Sequence, residues 1–185
     1  MEKFNHWSSP LGEIKADFPP FIEELAMREQ WNIRCHPEDK QFNDLSDILL
    51  GERFPENPNS VVQGNGGAKV LWLSPTEWLL VKDKEIGEQI EKIRSITAHL
   101  SITDVSANRV ILSLTGENAR TILSKCCDFD FHPEVFHKSR CAQTLMAKSQ
   151  AIIECTGENE FHIYVRNSFS RYVAEILIDA SREFC

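Results

Sequence analysis

Two short apolar runs near the middle of the chain form its clearest structural pattern. Residues 70–73 (VLWL) and 78–81 (WLLV) are separated by Ser-Pro-Thr-Glu, and each run contains a tryptophan. Pro75 suits the second position of a type I turn because its ring fixes φ. The pattern predicts a β-hairpin. Glu77, the ionisable residue of the turn, has no obvious partner nearby in the sequence.

Other segments of the first half predict a strand, a loop and two helices. Weak alternation in residues 31–35 predicts a strand, and residues 39–50 have apolar side chains at helical spacing before Gly51. Residues 52–67 are rich in Pro, Asn and Gly, which predicts a loop. The second helix is predicted from isoleucines that share one helical face: Ile86, Ile90, Ile93 and Ile96.

The second half repeats this order of elements. Residues 109–114 (RVILSL) predict a strand, and the following Thr-Gly-Glu-Asn predicts a turn into a helix that extends to Cys126. Ser168 is expected to cap a final helix. Further strands are predicted at residues 102–105, 141–147, 151–155 and 161–165. The predicted apolar face of the final helix consists of Phe169, Tyr172, Val173, Ile176 and Leu177.

The order of the elements predicts the fold class. A strand, a helix, a hairpin and a helix occur twice, and such a unit builds an antiparallel sheet with helices on one face. We therefore expect an α+β protein in which residues 26–185 form a single domain of two ferredoxin-like halves, about 26–98 and 99–185. Residues 1–25 contain a Pro-Pro pair and are expected to be an N-terminal extended arm.

Composition and charge narrow the function classes. The chain has 185 residues and 42% hydrophobic content, enough to bury a sizeable core. Its net charge of -8, from 28 acidic and 20 basic residues, disfavours binding to nucleic acids and to anionic membranes. The sequence has no run of about 18 apolar residues and no segment typical of a signal peptide. We expect a cytoplasmic protein.

The cysteines offer a candidate metal site, which the spacing disfavours. There are six: Cys35, Cys126, Cys127, Cys141, Cys155 and Cys185. This density is too low for a disulfide scaffold, so we expect reduced thiols. A zinc site would draw on Cys126, Cys127, His132, His137 and Cys141, which are residue types that bind zinc. However, no Cys-x-x-Cys pair is present, and adjacent cysteines cannot easily face the same tetrahedral ion.

Other residues with catalytic chemistry lack a recognisable motif. Residues 64–67 (GNGG) form a glycine-rich turn that leads into a strand, without the lysine of a phosphate-binding loop. His132 and His137 are expected at a surface or an interface, and His162 on a sheet face. For Asp104, an N-cap or turn role is favoured over that of a general base.

Arginine and tryptophan side chains leave two alternatives open. Arg109, Arg166 and Arg171 either contact an acidic partner or lie over apolar surface. Trp72 and Trp78 are expected in the core, with a partner interface as the alternative. We assign no catalytic, cofactor-binding or metal-binding residue to the chain.

Several segments together resemble the gamma subunit of heterotetrameric sarcosine oxidase. The resemblance spans roughly residues 30 to 180. It departs at Ser74, where that family tends to have glycine. The segments that carry it are 32–34, 54–59, 72–80, 104–106, 109–110, 116, 119–120, 141–145 and 147–148.

The gamma subunit is itself similar in fold to the tetrahydrofolate-binding domain of aminomethyltransferases. Residues 104–106 and 115–119 resemble the strand-to-helix segment of that domain. Aminomethyltransferases have paired aspartates between the strands equivalent to 141–147 and 151–155, where this chain has only Lys-Ser-Gln at 148–150. The resemblance therefore implies the scaffold without the catalytic carboxylates.

The resemblance implies a noncatalytic structural subunit that assembles with alpha, beta and delta subunits. Such a complex demethylates sarcosine oxidatively to glycine, transfers the one-carbon unit to tetrahydrofolate and releases hydrogen peroxide. Its FAD, FMN, NAD, tetrahydrofolate and zinc would lie on the other subunits. Two alternatives remain open: a stand-alone folate-binding protein similar to aminomethyltransferases, and a gamma-like subunit of another N-methyl amino-acid oxidase.

Overall fold

A computed structural model describes residues 7–39, 41–83, 86, 89, 91, 93 and 99–185 of the chain. The strands within these residues are β1 Ile22–Glu24, β2 Glu29–Arg34, β3 Val61–Gln63, β4 Lys69–Ser74, β5 Glu77–Lys82, β6 Ser101–Asp104, β7 Arg109–Thr115, β8 Arg140–Met146, β9 Ser149–Gly157 and β10 Glu160–Arg166. The α-helices are α1 Gln41–Leu49, α2 Ala119–Cys126 and α3 Asn167–Ser181. Short 3-10 helices lie at Gly12–Asp17, Asn65–Gly67, Ser106–Asn108 and Arg182–Phe184.

Two antiparallel five-stranded sheets confirm the α+β class. One sheet has the order β3-β4-β5-β2-β6 and the other the order β8-β9-β10-β7-β1. The two orders correspond strand by strand, as two ferredoxin-like halves require, with β3 and β8 as additional edge strands. The last strand of each sheet comes from a different place in the chain. Strand β6 follows the other strands of its sheet in the sequence, whereas β1 precedes the other strands of its sheet.

The predicted hairpin is confirmed, with its strands paired in register. Trp72 lies opposite Trp78, and a register shift between Trp72 and Ser74 marks a bulge just before the turn at Pro75. The predicted helix before Gly51 is also confirmed as α1. Gly51 has φ +70, a conformation that favours glycine at the end of a helix.

The chain divides into two compact units, whose boundary differs from the predicted one. Residues 27–106 form the first unit, and residues 107–185 together with residues 7–26 form the second. The predicted boundary at residues 98 and 99 is displaced because β6 pairs with β2, with Ile102 opposite Ile33. Strand β6 therefore belongs to the first sheet.

The predicted extended arm contains regular structure. Gly12–Asp17 is a 3-10 helix, and β1 pairs with β7, with Ile22 opposite Leu114. Leu11 and Ile22 are buried in the core of the second unit. Burial of these apolar side chains and pairing of the backbone explain why this segment is ordered.

The predicted loop at residues 52–67 is also only partly irregular. Strand β3 pairs with β4 inside it, with Val61 opposite Leu71, and Asn65–Gly67 forms a 3-10 turn. Val61 is buried and Val62 packs against the core of the first unit, while pairing with β4 satisfies the backbone of this short strand.

The final helix begins differently from the prediction. Strand β10 ends at Arg166, which is the N-cap residue of α3, and Ser168 lies inside the first turn. The predicted cap at Ser168 is therefore wrong. The buried face comprises Ser170, Val173, Ala174, Leu177 and Ser181. Phe169, which was predicted to be on the apolar face, is 45% exposed.

The predicted helix around residues 86–96 falls mainly outside the described residues. Ile90 and Ile96 belong to the undescribed positions, whereas Ile86 and Ile93 are buried in the core of the first unit. Among the described helices, none is long and apolar enough to cross a membrane.

Candidate functional site

The two tryptophans of the hairpin have different environments. Trp78 is fully buried, and its indole Nε1 donates a hydrogen bond of 2.8 Å to the carbonyl oxygen of Pro55. Its ring centroid lies 5.1 Å from that of Phe42 and 6.1 Å from that of Phe54. Trp72 is half-buried and packs against the edge of the same core. The expected core role is confirmed for Trp78.

Glu77, at the end of the hairpin turn, has partners that the sequence did not reveal. Asn32 Nδ2 donates a hydrogen bond of 2.7 Å to Glu77 Oε1, and Arg34 Nη2 lies 3.0 Å from the same oxygen. Both partners lie on β2, which pairs with the second strand of the hairpin. The sequence did not reveal these partners because Asn32 and Arg34 are more than 40 positions away from Glu77 along the chain.

Asp104 has the turn role favoured from the sequence. Its Oδ1 accepts hydrogen bonds from the Ser106 backbone N–H at 2.9 Å and from the Ser106 hydroxyl at 2.6 Å. The Ser106 hydroxyl in turn accepts a hydrogen bond of 3.0 Å from the backbone N–H of Gln30. Asp104 thus fixes the chain between β6 and the following 3-10 helix.

In the glycine-rich turn at residues 64–67, the first two backbone N–H groups donate hydrogen bonds to carbonyl oxygens of the chain itself. Gly64 N–H donates to the carbonyl oxygen of Ala68 at 2.8 Å, and Asn65 N–H donates to that of Leu50 at 2.9 Å. Gly66 and Gly67 both have φ in the left-handed region, at +66 and +77. These contacts close the turn and connect it to the end of α1.

The histidines are placed as expected. His132 and His137 are exposed on the connection between α2 and β8, residues 127–139. His162 lies on β10 and points to the sheet face opposite the helices, because its neighbours Phe161 and Ile163 point into the core.

A buried carboxylate beside His162 was not identified from the sequence. Glu154 on β9 is 1% exposed, and the Tyr164 hydroxyl donates a hydrogen bond of 2.6 Å to its Oε2. His162 Nδ1 lies 3.7 Å from the same oxygen. Buried carboxylates require such hydrogen bonds. The sequence does contain one sign of this buried carboxylate, because Glu154 is the only charged residue in the apolar run at residues 151–155.

Arg120 is a second residue whose role the sequence did not reveal. Its Nη1 donates to the carbonyl oxygens of Phe131 and Phe136, and its Nε donates to that of Glu158 at 3.1 Å. The guanidinium also lies over the Phe161 ring, 5.1 Å from the centroid. A half-buried arginine therefore connects α2 to the 127–139 connection and to the β9–β10 turn.

The charged ends of β7, β10 and α3 are mostly at the surface. Arg109 lies opposite Arg166 in the paired strands β7 and β10. Arg166 is exposed, and Arg171 is exposed and forms an ion pair with Glu175 at 3.0 Å on the same helix. Such an exposed pair contributes little to stability.

The six cysteines are free thiols, as expected. Burial raises the pKa of Cys126 to about 11 and that of Cys127 to about 12. Burial also raises the pKa of Cys155, and the nearby Arg120 opposes that effect. Cys126 and Cys127 lie in a core, whereas His132 and His137 are exposed. Within the described ranges, no three His, Cys, Asp or Glu side chains form a metal site.

The raised thiol pKa values predict selective alkylation. With iodoacetamide at pH 8, Cys185, which is exposed, should react first, whereas Cys126 and Cys127 should react only after unfolding, because the reactive thiolate is disfavoured there. The thiols of the unfolded chain ionise at a lower pH than the same thiols when they are buried in the folded chain. The free energy of unfolding should therefore decrease as the pH rises from about 9 toward 12. Mass spectrometry of timed samples measures the order, with Cys185→Ser as the control. Labelling of Cys127 as fast as Cys185 would contradict it.

The turn between β8 and β9 is where the resemblance to aminomethyltransferases places the paired aspartates of that family. Here Met146 pairs with Ser149, and Ala147, with φ +50, and Lys148 form the two-residue loop. Lys148 and Gln150 are exposed. The loop therefore presents an ammonium group where that resemblance would require carboxylates.

Comparisons with known proteins identify the family. The model of the "Sarcosine oxidase, gamma subunit family" matches residues 36–183 of the chain. The chain belongs to this family. Among its curated relatives, the sarcosine oxidase subunit gamma of Arthrobacter sp. is 30% identical over 164 residues, 88% of this chain and 80% of the relative. That of Corynebacterium sp. (strain U-96) is 30% identical over 174 residues, 93% and 84% of the two chains.

One solved structure agrees with the membership of the gamma-subunit family, and a second shares the fold. A chain of the heterotetrameric sarcosine oxidase from Corynebacterium sp. U-96, in complex with pyrrole 2-carboxylate, matches with a TM-score of 0.86 and 28% identity, over 96% of each chain. Aminomethyltransferase T of the glycine cleavage system from Bartonella henselae matches with a TM-score of 0.65 and 14% identity, over 87% of this chain and 46% of that one. The second likeness is one of fold.

Proposed function

We propose that the chain is a noncatalytic assembly subunit, the gamma subunit, of a heterotetrameric sarcosine oxidase. The observation that carries the proposal is the structural match over 96% of both chains to a chain of such an enzyme. Family membership over residues 36–183 supports it independently. A match over nearly the whole length favours a shared role more than a match of one motif would.

The environments of the polar residues support a noncatalytic role. Asp104, which the sequence offered as a possible general base, and the buried Glu154 accept hydrogen bonds from Ser106 and Tyr164. The Arg120 guanidinium is occupied by backbone carbonyl oxygens. These side chains fix turns and strands, which is the work of a scaffold.

In this proposal the chemistry belongs to the partners. The alpha, beta and delta subunits carry the FAD, FMN, NAD, tetrahydrofolate and zinc, and they act together in the cytoplasm. They demethylate sarcosine oxidatively to glycine, transfer the one-carbon unit to tetrahydrofolate and release hydrogen peroxide. The gamma subunit contributes contacts that hold the complex together.

Co-expression tests the assembly role. The tagged chain is produced with the alpha, beta and delta subunits of the same genome, and the mixture is separated by size-exclusion chromatography. We expect one peak that contains all four chains and oxidises sarcosine. Glu154→Gln and His162→Gln should leave kcat/KM of the assembled complex within about twofold, because they change no transition-state contact. Elution of the chain alone would refute the proposal.

Two alternatives have their own distinguishing measurements. The likeness of fold to an aminomethyltransferase motivates a stand-alone folate-binding role. Calorimetric binding of tetrahydrofolate to the isolated chain at micromolar concentration would favour it. If the complex assembles but prefers another N-methyl amino acid over sarcosine, the chain is the gamma-like subunit of a related oxidase.

A further inference from the structure

A surface groove in the second unit lies apart from the candidate residues Asp104, His132, His137 and His162. It runs between residues 10–21 and the last helix, α3, and it consists of two hollows of about 810 and 460 Å³. The hollows share the side chains of Asp17, Ile178 and Arg182. Volumes of this size fall in the range of binding pockets, roughly 300–1,000 Å³.

The smaller hollow is apolar. Phe18, Phe21 and Phe184 line it together with the Pro19-Pro20 pair. The three phenylalanines are only partly buried and pack against the core of the unit. Adjacent prolines restrict the backbone, so this wall is already in a fixed conformation before anything binds.

The larger hollow is charged, and its charges are not balanced. Arg171 pairs with Glu175 at 3.0 Å. Arg182 pairs with Asp179 at 3.2 Å. Glu13 and Asp17 line the same hollow, and within the described part of the chain no ion pair involves either carboxylate. Among the described residues, the groove therefore presents two carboxylates that form no ion pair, Glu13 and Asp17, beside an apolar hollow.

This combination is typical of a protein interface. Interfaces have an apolar centre and a charged rim, and complementary charges set the partner and its orientation. A small-molecule pocket would have buried polar groups that converge on one point. Here the charged lining residues Glu13, Asp17, Arg171 and Glu175 are all exposed.

We propose that the groove binds a segment of a partner subunit that places an apolar side chain in the smaller hollow and a lysine beside Glu13 and Asp17. The inference rests on the proposed assembly function and assigns one contact surface to it. Ile178, which lies in both hollows, would contact the segment at its centre.

The first test compares two charge-reversal variants in the complete complex. Glu13→Lys/Asp17→Lys should weaken binding to the other three subunits by about tenfold or more at low salt, because reversal places like charges against the partner cation. The control, Asp128→Lys/Glu134→Lys, makes the same change in net charge at two exposed residues of the 127–139 connection. We expect it to change the Kd less than threefold. Equal effects of both variants would overturn the inference.

The second test identifies the occupant. A zero-length carbodiimide crosslinker joins carboxylates to lysines, and mass spectrometry of the crosslinked complex should connect Glu13 or Asp17 to a lysine of another subunit. Ile178→Asp should reduce both the crosslink and the affinity, whereas Phe169→Asp, on the other flank of α3, should not. A crosslink to a second copy of this chain, or none in a complex that assembles, would overturn the inference.

The two proposals fail in different ways. If the unmodified chain does not bind the other subunits, the assembly function is wrong. If it binds them and the Glu13→Lys/Asp17→Lys variant binds equally well, the assembly function stands and the groove is not its contact surface.

Discussion

Replacing Trp78 with alanine is expected to lower the free energy of unfolding by about 3–5 kcal/mol, the range for large aromatic side chains removed from a core. The side chain is fully buried against Phe42 and Phe54. Its removal leaves a cavity and also leaves the Pro55 carbonyl oxygen without its indole donor. Since domains are stable by about 5–15 kcal/mol, the variant should be close to unfolding. Urea denaturation monitored by circular dichroism measures the change.

Two further variants separate packing from hydrogen bonding. Trp78→Phe keeps an aromatic ring but loses the bond to Pro55, so we expect a smaller loss of about 1–3 kcal/mol. Phe169→Ala removes a side chain that is 45% exposed and should cost less than about 1 kcal/mol. If Trp78→Ala costs no more than Phe169→Ala, the assignment of Trp78 to the core is wrong.

Removal of the Arg120 side chain is expected to destabilise the second unit by about 2–4 kcal/mol. The guanidinium donates to carbonyl oxygens of Phe131, Phe136 and Glu158, and a hydrogen bond to a charged group contributes about 1.5–3 kcal/mol. The expected loss is smaller than the sum of three such bonds, because the side chain is half-buried and water can replace part of the donors. Arg120→Ala leaves these oxygens unpaired. Arg120→Lys should recover only part of the loss. Lysine keeps a positive charge that can donate to one or two of these oxygens, but its ammonium group cannot reach all of them as the planar guanidinium does.

Hydrogen exchange can locate the effect of the Arg120 substitution. The amides of Val135 and Phe136 donate to the His132 carbonyl oxygen inside the 127–139 connection. Their protection should decrease in Arg120→Ala more than that of β10. Arg171→Ala, which removes an exposed ion pair, is the matched control and should change stability by less than about 0.5 kcal/mol. Uniform loss of protection across the unit would contradict a local role.

Elements with strong local periodicity were predictable from the sequence. The hairpin follows from two short apolar runs on either side of the turn at Pro75, and α1 follows from helical spacing that ends before Gly51. Strands β7 and β10 are also apolar runs with clear ends. In each case the pattern depends on residues a few positions apart, which a single sequence displays.

Short elements and distant partners were not predictable. Strand β1 has only three residues and depends on β7 for its partner, with Ile22 opposite Leu114. The bond between Asn32 and Glu77 joins residues 45 positions apart. The acceptors of Arg120 are backbone carbonyl oxygens, which every residue has. The order of side-chain types along the sequence therefore does not indicate any of these contacts.

The sequence by itself determined the α+β class, most strands and helices and the resemblance to the gamma-subunit family, because apolar periodicity and local motifs carry that information. The tertiary structure decided which strand belongs to which sheet, which carboxylates are paired and where the groove beside α3 lies. Those features depend on the register of strands distant in the chain, as in the contact between Glu154 and Tyr164. Such register is set by packing of the whole unit.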